Sequence, residues 1–105
     1  MNEQRCRVCF AESARDDLRD ILDWHASHQA PQVGTRIVLE ILDWARQLGM
    51  FPDSGRVVPE FDAPSLRELE HPLFRIVYRQ GENTVTVVRV WRSERLMKLG
   101  PAEDG

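Results

Sequence analysis

Apolar residues recur along this chain with two different periods, and the places where the period changes mark out its elements. From Arg5 to Phe10 they alternate, with Cys6, Val8 and Phe10 on one face and Arg7 and Cys9 on the other, as in a short strand. Ala14, Leu18, Ile21, Leu22 and His25 then follow helical spacing, opposite Arg15, Arg19 and Asp23, with Trp24 at the edge of the stripe. Ser13 with Asp16 three residues on reads as an N-cap and predicts that this helix starts there. Ala30-Pro31 breaks the pattern and opens a second helix, which is expected to run to Leu48-Gly49, where the glycine can close it. Its apolar arc, Val33, Ile37, Val38, Ile41, Leu42, Trp44, Ala45 and Leu48, suits a helix packed on both a neighbouring helix and a sheet. Leu39 falls outside the arc, among Arg36, Asp43 and Arg46, as a candidate contact residue.

Residues 51–64 read as loop, with Pro52, Gly55, Pro59 and Pro64 among turn-forming neighbours. Alternation returns weakly at Leu66 to Glu70 and strongly at Phe74 to Arg79 and Thr84 to Arg92, with Gln80-Gly81-Glu82-Asn83 in hairpin position. One further helical turn is expected within 94–99. The order β-α-α-β-β-β predicts an α+β fold in which a helical hairpin covers one face of an antiparallel sheet. Period two puts Phe74, Ile76 and Tyr78 under the helices. It leaves Arg75, Val77, Arg79, Val85, Val87, Arg89 and Trp91 on the open face, where no acid is expected on those two strands. Arginines among apolar side chains suit a partner segment or stacked, anionic groups.

At 105 residues the chain has room for one core, so a single domain over 1–97 and a disordered tail at 98–105 are expected, and a dinucleotide-binding or barrel enzyme is excluded. Fourteen basic against seventeen acidic residues, a net charge of −3, disfavour a general nucleic-acid binder but leave room for one basic face. No segment approaches the roughly 18 apolar residues of a membrane span, and a cytoplasmic protein is expected. Cys6 and Cys9 spell C-x-x-C but point to opposite faces of a strand, with no second pair to complete a zinc site. His25 and His28 also lack further ligands, so no metal is expected. There is no Gly-rich phosphate loop, so no cofactor is expected either. His71, before Pro72, is a loop residue or a general base.

Several strings occur in an order that is more specific than any of them alone. They are Val8-Cys9-Phe10 followed by Ala14 to Ile21, Phe51 to Arg56 leading to Pro59-Glu60, Leu66 to Leu69, Phe74 to Arg79, and Val87 to Trp91 before a basic tail. In these the chain resembles the ParE/RelE toxin superfamily of bacterial toxin–antitoxin modules, and more closely its ParE (plasmid-stabilisation) branch. The resemblance implies a growth inhibitor neutralised by a cognate antitoxin encoded by the adjacent gene, with no direct specific DNA binding by the toxin itself.

RelE-like members cleave mRNA on the ribosome without a metal, whereas ParE-like members are associated with inhibition of DNA gyrase. Arg75 matches the strand arginine of RelE-like enzymes, and Arg92 and Arg95 fall in the basic stretch after the last strand. However, Lys98 is the only lysine, and Trp91-Arg92-Ser93 stands where a proton-transferring His or Tyr is often found. Arginine stays protonated and cannot serve as the base, and acid–base assistance is worth about 10²–10⁴-fold. His71 would have to replace it. A gyrase-binding toxin is therefore the first expectation, a ribosome-dependent nuclease using Arg75, Arg92, Arg95 and His71 the second, and an inactive homologue retained as an antitoxin-binding partner the third. The expected surface for antitoxin or target is the open face, Arg75, Arg79, Arg89 and Trp91, with Trp24 and Leu39 as further contacts.

Overall fold

In the computed structural model, residues 6–58, 63 and 65–92 are described here. The helical turn expected within 94–99, the tail, the domain limit at 97 and Arg95 lie outside them. The elements are β1 (Arg7–Phe10), α1 (Glu12–Ser27), α2 (Pro31–Leu48), β2 (Arg56–Val57), β3 (Leu66–Glu70), β4 (Phe74–Gly81) and β5 (Thr84–Arg92). Among them no helix is long and apolar enough to cross a membrane.

The two helices form as their apolar periods require and meet across a three-residue link, His28 to Ala30, in which Gln29 has a left-handed φ of 59°. Ala14, Ile21, Ile37, Ile41, Ala45 and Leu48 pack against Phe74, Ile76, Tyr78, Val85, Val87 and Val90 of the sheet. These side chains are all nearly or wholly out of water, each valine, leucine, isoleucine or phenylalanine contributing on the order of 1.5–3 kcal/mol of burial.

Among the described residues five strands, not four, make the sheet, in the order β1-β5-β4-β3-β2. The expected antiparallel sheet holds from β2 to β5, while β1 joins β5 in parallel, so the sheet is mixed. β2 lies inside the segment read as loop. Only two residues long, it is too short to show a period, and its pairing with β3 defines it.

Three further expectations change. Helix α1 starts at Glu12 rather than being capped by Ser13, because Ala11 takes the extended N-cap position and the Ser13 hydroxyl donates to Val88 O at 2.6 Å. Gly49 does close α2, as expected, but in a right-handed conformation rather than the left-handed one that favours glycine. It is small for another reason: a Cβ there would lie 2.9 Å from Cys6 O, where the chain entering β1 donates its Cys6 N–H to Gly49 O.

The third change concerns the sheet faces. A β-bulge between β4 and β5 pairs Val77 with Arg89 but Tyr78 with Val87, leaving Val88 as the extra residue. Strict alternation therefore fails at Val88. Val85 and Val87 turn into the core together with Val90, and only Val77 of the three expected valines remains on the open side. There it is 1% exposed, between Glu68 and Arg89 on the neighbouring strands.

Candidate functional site

The open face is built by register. Glu68 of β3 stands opposite Val77, Arg75 opposite Trp91, and Arg89 opposite Val77 from the other side, so charged and aromatic groups from four strands share one surface. Arg56 of β2 donates through Nε to Glu68 Oε2 at 2.8 Å and through a terminal nitrogen to Glu70 Oε1 at 3.1 Å. Arg75 grips the other oxygen of the same carboxylate, with Nε 2.9 Å from Glu68 Oε1 and a second donor bonded alongside. The Arg75 guanidinium lies 5.4 Å from the centre of the Trp91 ring and that of Arg89 lies 5.2 Å from it. Arg89 then makes a two-pronged contact with Asp17 of α1, at 2.8 and 3.0 Å. The result is one continuous chain of contacts, Arg56–Glu68–Arg75–Trp91–Arg89–Asp17, running from the edge strand β2 to the first helix.

This chain of contacts fixes the charge of the face. Glu68 is 1% exposed. Burial works to raise its pKa, but the hydrogen bonds and charges of Arg75 and Arg56 outweigh burial and hold the carboxyl below its ordinary value. The Arg89 guanidinium is held more firmly protonated, chiefly by its hydrogen bonds to Asp17. The face thus presents a tryptophan between two guanidiniums whose charge is matched by carboxylates of the same chain. Sequence reasoning missed Glu68 and Asp17. Extending the alternation of Leu66 to Glu70 one strand further would have put Glu68 beside Arg75, whereas Asp17 reaches the sheet only because α1 runs past the end of β1.

The other expected residues are dispersed. Arg79 is exposed on the open face and forms no ion pair with a described residue. Arg92 is opposite Phe74 and therefore on the helix side, its guanidinium 4.7 Å from the ring of Trp24. Trp24 also stacks on His28, 3.9 Å between ring centres. Leu39 is 60% exposed on the outer side of α2.

His71 also lies on the helix side, stacked on Phe74 and edge-on to Trp44. The Leu73 N–H donates to its Nδ1 at 3.0 Å, so the ring proton sits on Nε2 and is directed at Glu40 Oε2, 3.0 Å away. Tyr78, the only tyrosine, is fully buried; its hydroxyl donates to Pro52 O at 2.8 Å and accepts from Gly55 N–H at 2.9 Å. Burial, outweighing the Gly55 bond, raises its pKa above the ordinary phenol value. It anchors the loop before β2. Among the described residues no three His, Cys, Asp or Glu side chains are grouped to hold a metal.

Two helices on a five-strand mixed sheet make an α+β fold that solved structures share. The structure superposes on a chain of the chromosomal ParDE toxin–antitoxin system from P. aeruginosa with a TM-score of 0.71, at 22% identity, covering 87% of this chain and 99% of that one. A chain of the toxin–antitoxin complex RelBE2 from Mycobacterium tuberculosis superposes with a TM-score of 0.63, at 21% identity, covering 88% and 95%. No curated relative matches the chain. The family described as "ParE toxin of type II toxin-antitoxin system, parDE" matches residues 8–97. The chain belongs to the ParE toxin family.

Proposed function

We propose that the chain is a cytoplasmic growth-arresting toxin that acts by binding DNA gyrase, and that a cognate antitoxin neutralises it. Membership of the ParE family supports the toxin reading. The observation that favours a binding mode of action over phosphodiester cleavage is the separation of the groups a nuclease would need. Arg75 is on the open face, whereas Arg92 and His71 are on the helix side. The His71 Nδ1 lone pair is already taken by a backbone N–H, and the Tyr78 hydroxyl is buried. A general base must reach its proton within hydrogen-bond distance, and neither ring is placed to do so beside Arg75.

In this reading the open face is the surface that meets the target, with Trp91 as the anchor. A rigid aromatic flanked by guanidiniums is the kind of residue that dominates protein interfaces. Because Glu68 and Asp17 already match the arginine charges, the face suits a folded protein partner better than a bare polyanion. The purified toxin is expected to block DNA supercoiling by gyrase and to leave mRNA intact in a translation extract. Ribosome-dependent mRNA cleavage with normal supercoiling would replace this reading with the nuclease one, and induced expression with normal growth would point to an inactive homologue.

A further inference from the structure

We propose that the half of the open face away from Trp91 holds a seat for a carboxylate, and that the target presents an acidic side chain there when it engages Trp91. This deepens the reading of the open face as the target surface and rests on it. Val8 and Phe10 of β1 and Val85 and Val87 of β5 pack on the core, so Arg7, Cys9, Thr84 and Thr86 share the open side. Arg79 and Gly81 of β4 share it too, because Tyr78 is turned into the core. Register sets these positions in two rows across three strands, Arg7–Thr84–Gly81 and Cys9–Thr86–Arg79.

The seat has a polar floor, a gap and two basic walls. Thr84 and Thr86 are half-buried, and neither hydroxyl is hydrogen-bonded to a described residue. Gly81 leaves the first of them uncovered, since a Cβ there would lie 2.8 Å from Thr84 Oγ1. Arg7 and Arg79, both exposed, stand on the strands either side of the threonines. Neither makes an ion pair with a described residue, and Glu82 in the turn between β4 and β5 pairs with neither. A guanidinium grips a carboxylate with two parallel bonds and a hydroxyl adds a further donor, so a carboxylate over the threonines meets donors from both walls and from the floor. At the Trp91 end, by contrast, Arg75 and Arg89 are already held by Glu68 and Asp17. One acidic side chain of a protein matches this confined positive charge. A run of phosphates would continue onto Glu68 and Glu70, on a chain whose net charge is −3.

The test has two arms. Tetraglutamate titrated into isotopically labelled toxin is expected to shift the backbone amide signals of Thr84 and Thr86 saturably, and Arg79→Glu is expected to abolish those shifts. Absence of a localised shift would overturn the seat. Tighter binding of a thymidine tetranucleotide than of tetraglutamate at the same amides would overturn the acidic protein partner in favour of nucleic acid. In the second arm, Arg7→Glu and Arg79→Glu change exposed residues and, with folding checked by circular dichroism, are each expected to weaken binding to purified gyrase about tenfold or more. Arg36→Glu, the same change of charge at an exposed position of α2, is expected to bind as the wild type does. Wild-type affinity in both seat variants would overturn the proposal and leave the gyrase reading intact. Failure of the wild-type toxin to bind gyrase at all would instead overturn the gyrase reading, and the seat would stand or fall on the tetraglutamate titration alone.

Discussion

Asp17 holds the Arg89 guanidinium with both carboxylate oxygens and, with one of them, accepts the backbone N–H of Val90 at 2.8 Å. It joins α1 to the part of β5 that β1 is too short to reach, immediately after the bulge. Its side chain is 11% exposed, against 44% for Arg89. Removing the two partners should therefore cost different amounts. Asp17→Ala leaves a strand N–H without its acceptor and is expected to lower stability by about 2–3 kcal/mol. Arg89→Ala removes a partly exposed ion pair and should cost about 1 kcal/mol or less. Chemical denaturation of both variants measures the difference, and equal losses would count against the asymmetry.

Glu68 is the central link of the contacts across the open face. Glu68→Gln keeps the shape but takes away the charge that Arg56 and Arg75 share, and is expected to destabilise by about 1–3 kcal/mol. It should also make the face more positive by one charge, although Arg56 keeps its contact with Glu70. A mobility-shift assay at low salt should show the variant retarding random DNA where the wild type does not, an effect that fades as salt is raised.

At the α1–α2 crossing, a Cβ on Gly34 would sit 3.0 Å from the His25 Cβ and 3.3 Å from Ile21 O. Gly34→Ala improves helix propensity by about 1 kcal/mol, yet it wedges two helices apart and is expected to lower stability by about 1–2 kcal/mol on balance. Gln29, in the link, shows the opposite case. Its left-handed φ costs a non-glycine residue about 1 kcal/mol, so Gln29→Gly is expected to raise the melting temperature slightly.

His25 is 6% exposed, and its Nε2 has no hydrogen-bond partner among the described residues. Burial, then the charges of Arg92 and His28, push its pKa below the ordinary 6.5. The folded state therefore prefers the neutral ring. Its contribution is fully present above pH 6.5 and is lost as pH falls from there toward the lower folded-state pKa. Glu68, whose pKa is lowered from 4.5, should add a second loss of stability as pH falls below that value. Melting temperatures recorded from about pH 7.5 down to about pH 2.5 should show the first decline flattened in His25→Gln and the second flattened in Glu68→Gln.

The helices and the two long strands were legible because each carries enough residues to display its period, and Pro31 marks the one break between helices. The two-residue β2 carries no period, and the parallel placement of β1 depends on where the hairpin of helices returns the chain. The open face was half legible. Arg75, Arg89 and Trp91 do share it, but a single bulge residue, Val88, moved Val85 and Val87 into the core. Glu68 and Asp17 changed its electrostatics from elements that the two-strand reading did not include. His71 was read as a loop residue or a base, and the engagement of both its nitrogens, by the Leu73 amide and by Glu40, depends on tertiary placement without a local pattern.

The most direct measurement is a supercoiling titration with purified gyrase, comparing the wild-type toxin with Trp91→Ala. The account predicts inhibition by the wild type and a loss of potency of about tenfold or more in the variant, with its fold intact by circular dichroism. Undiminished supercoiling at every wild-type concentration, or equal potency of the two proteins, would contradict it.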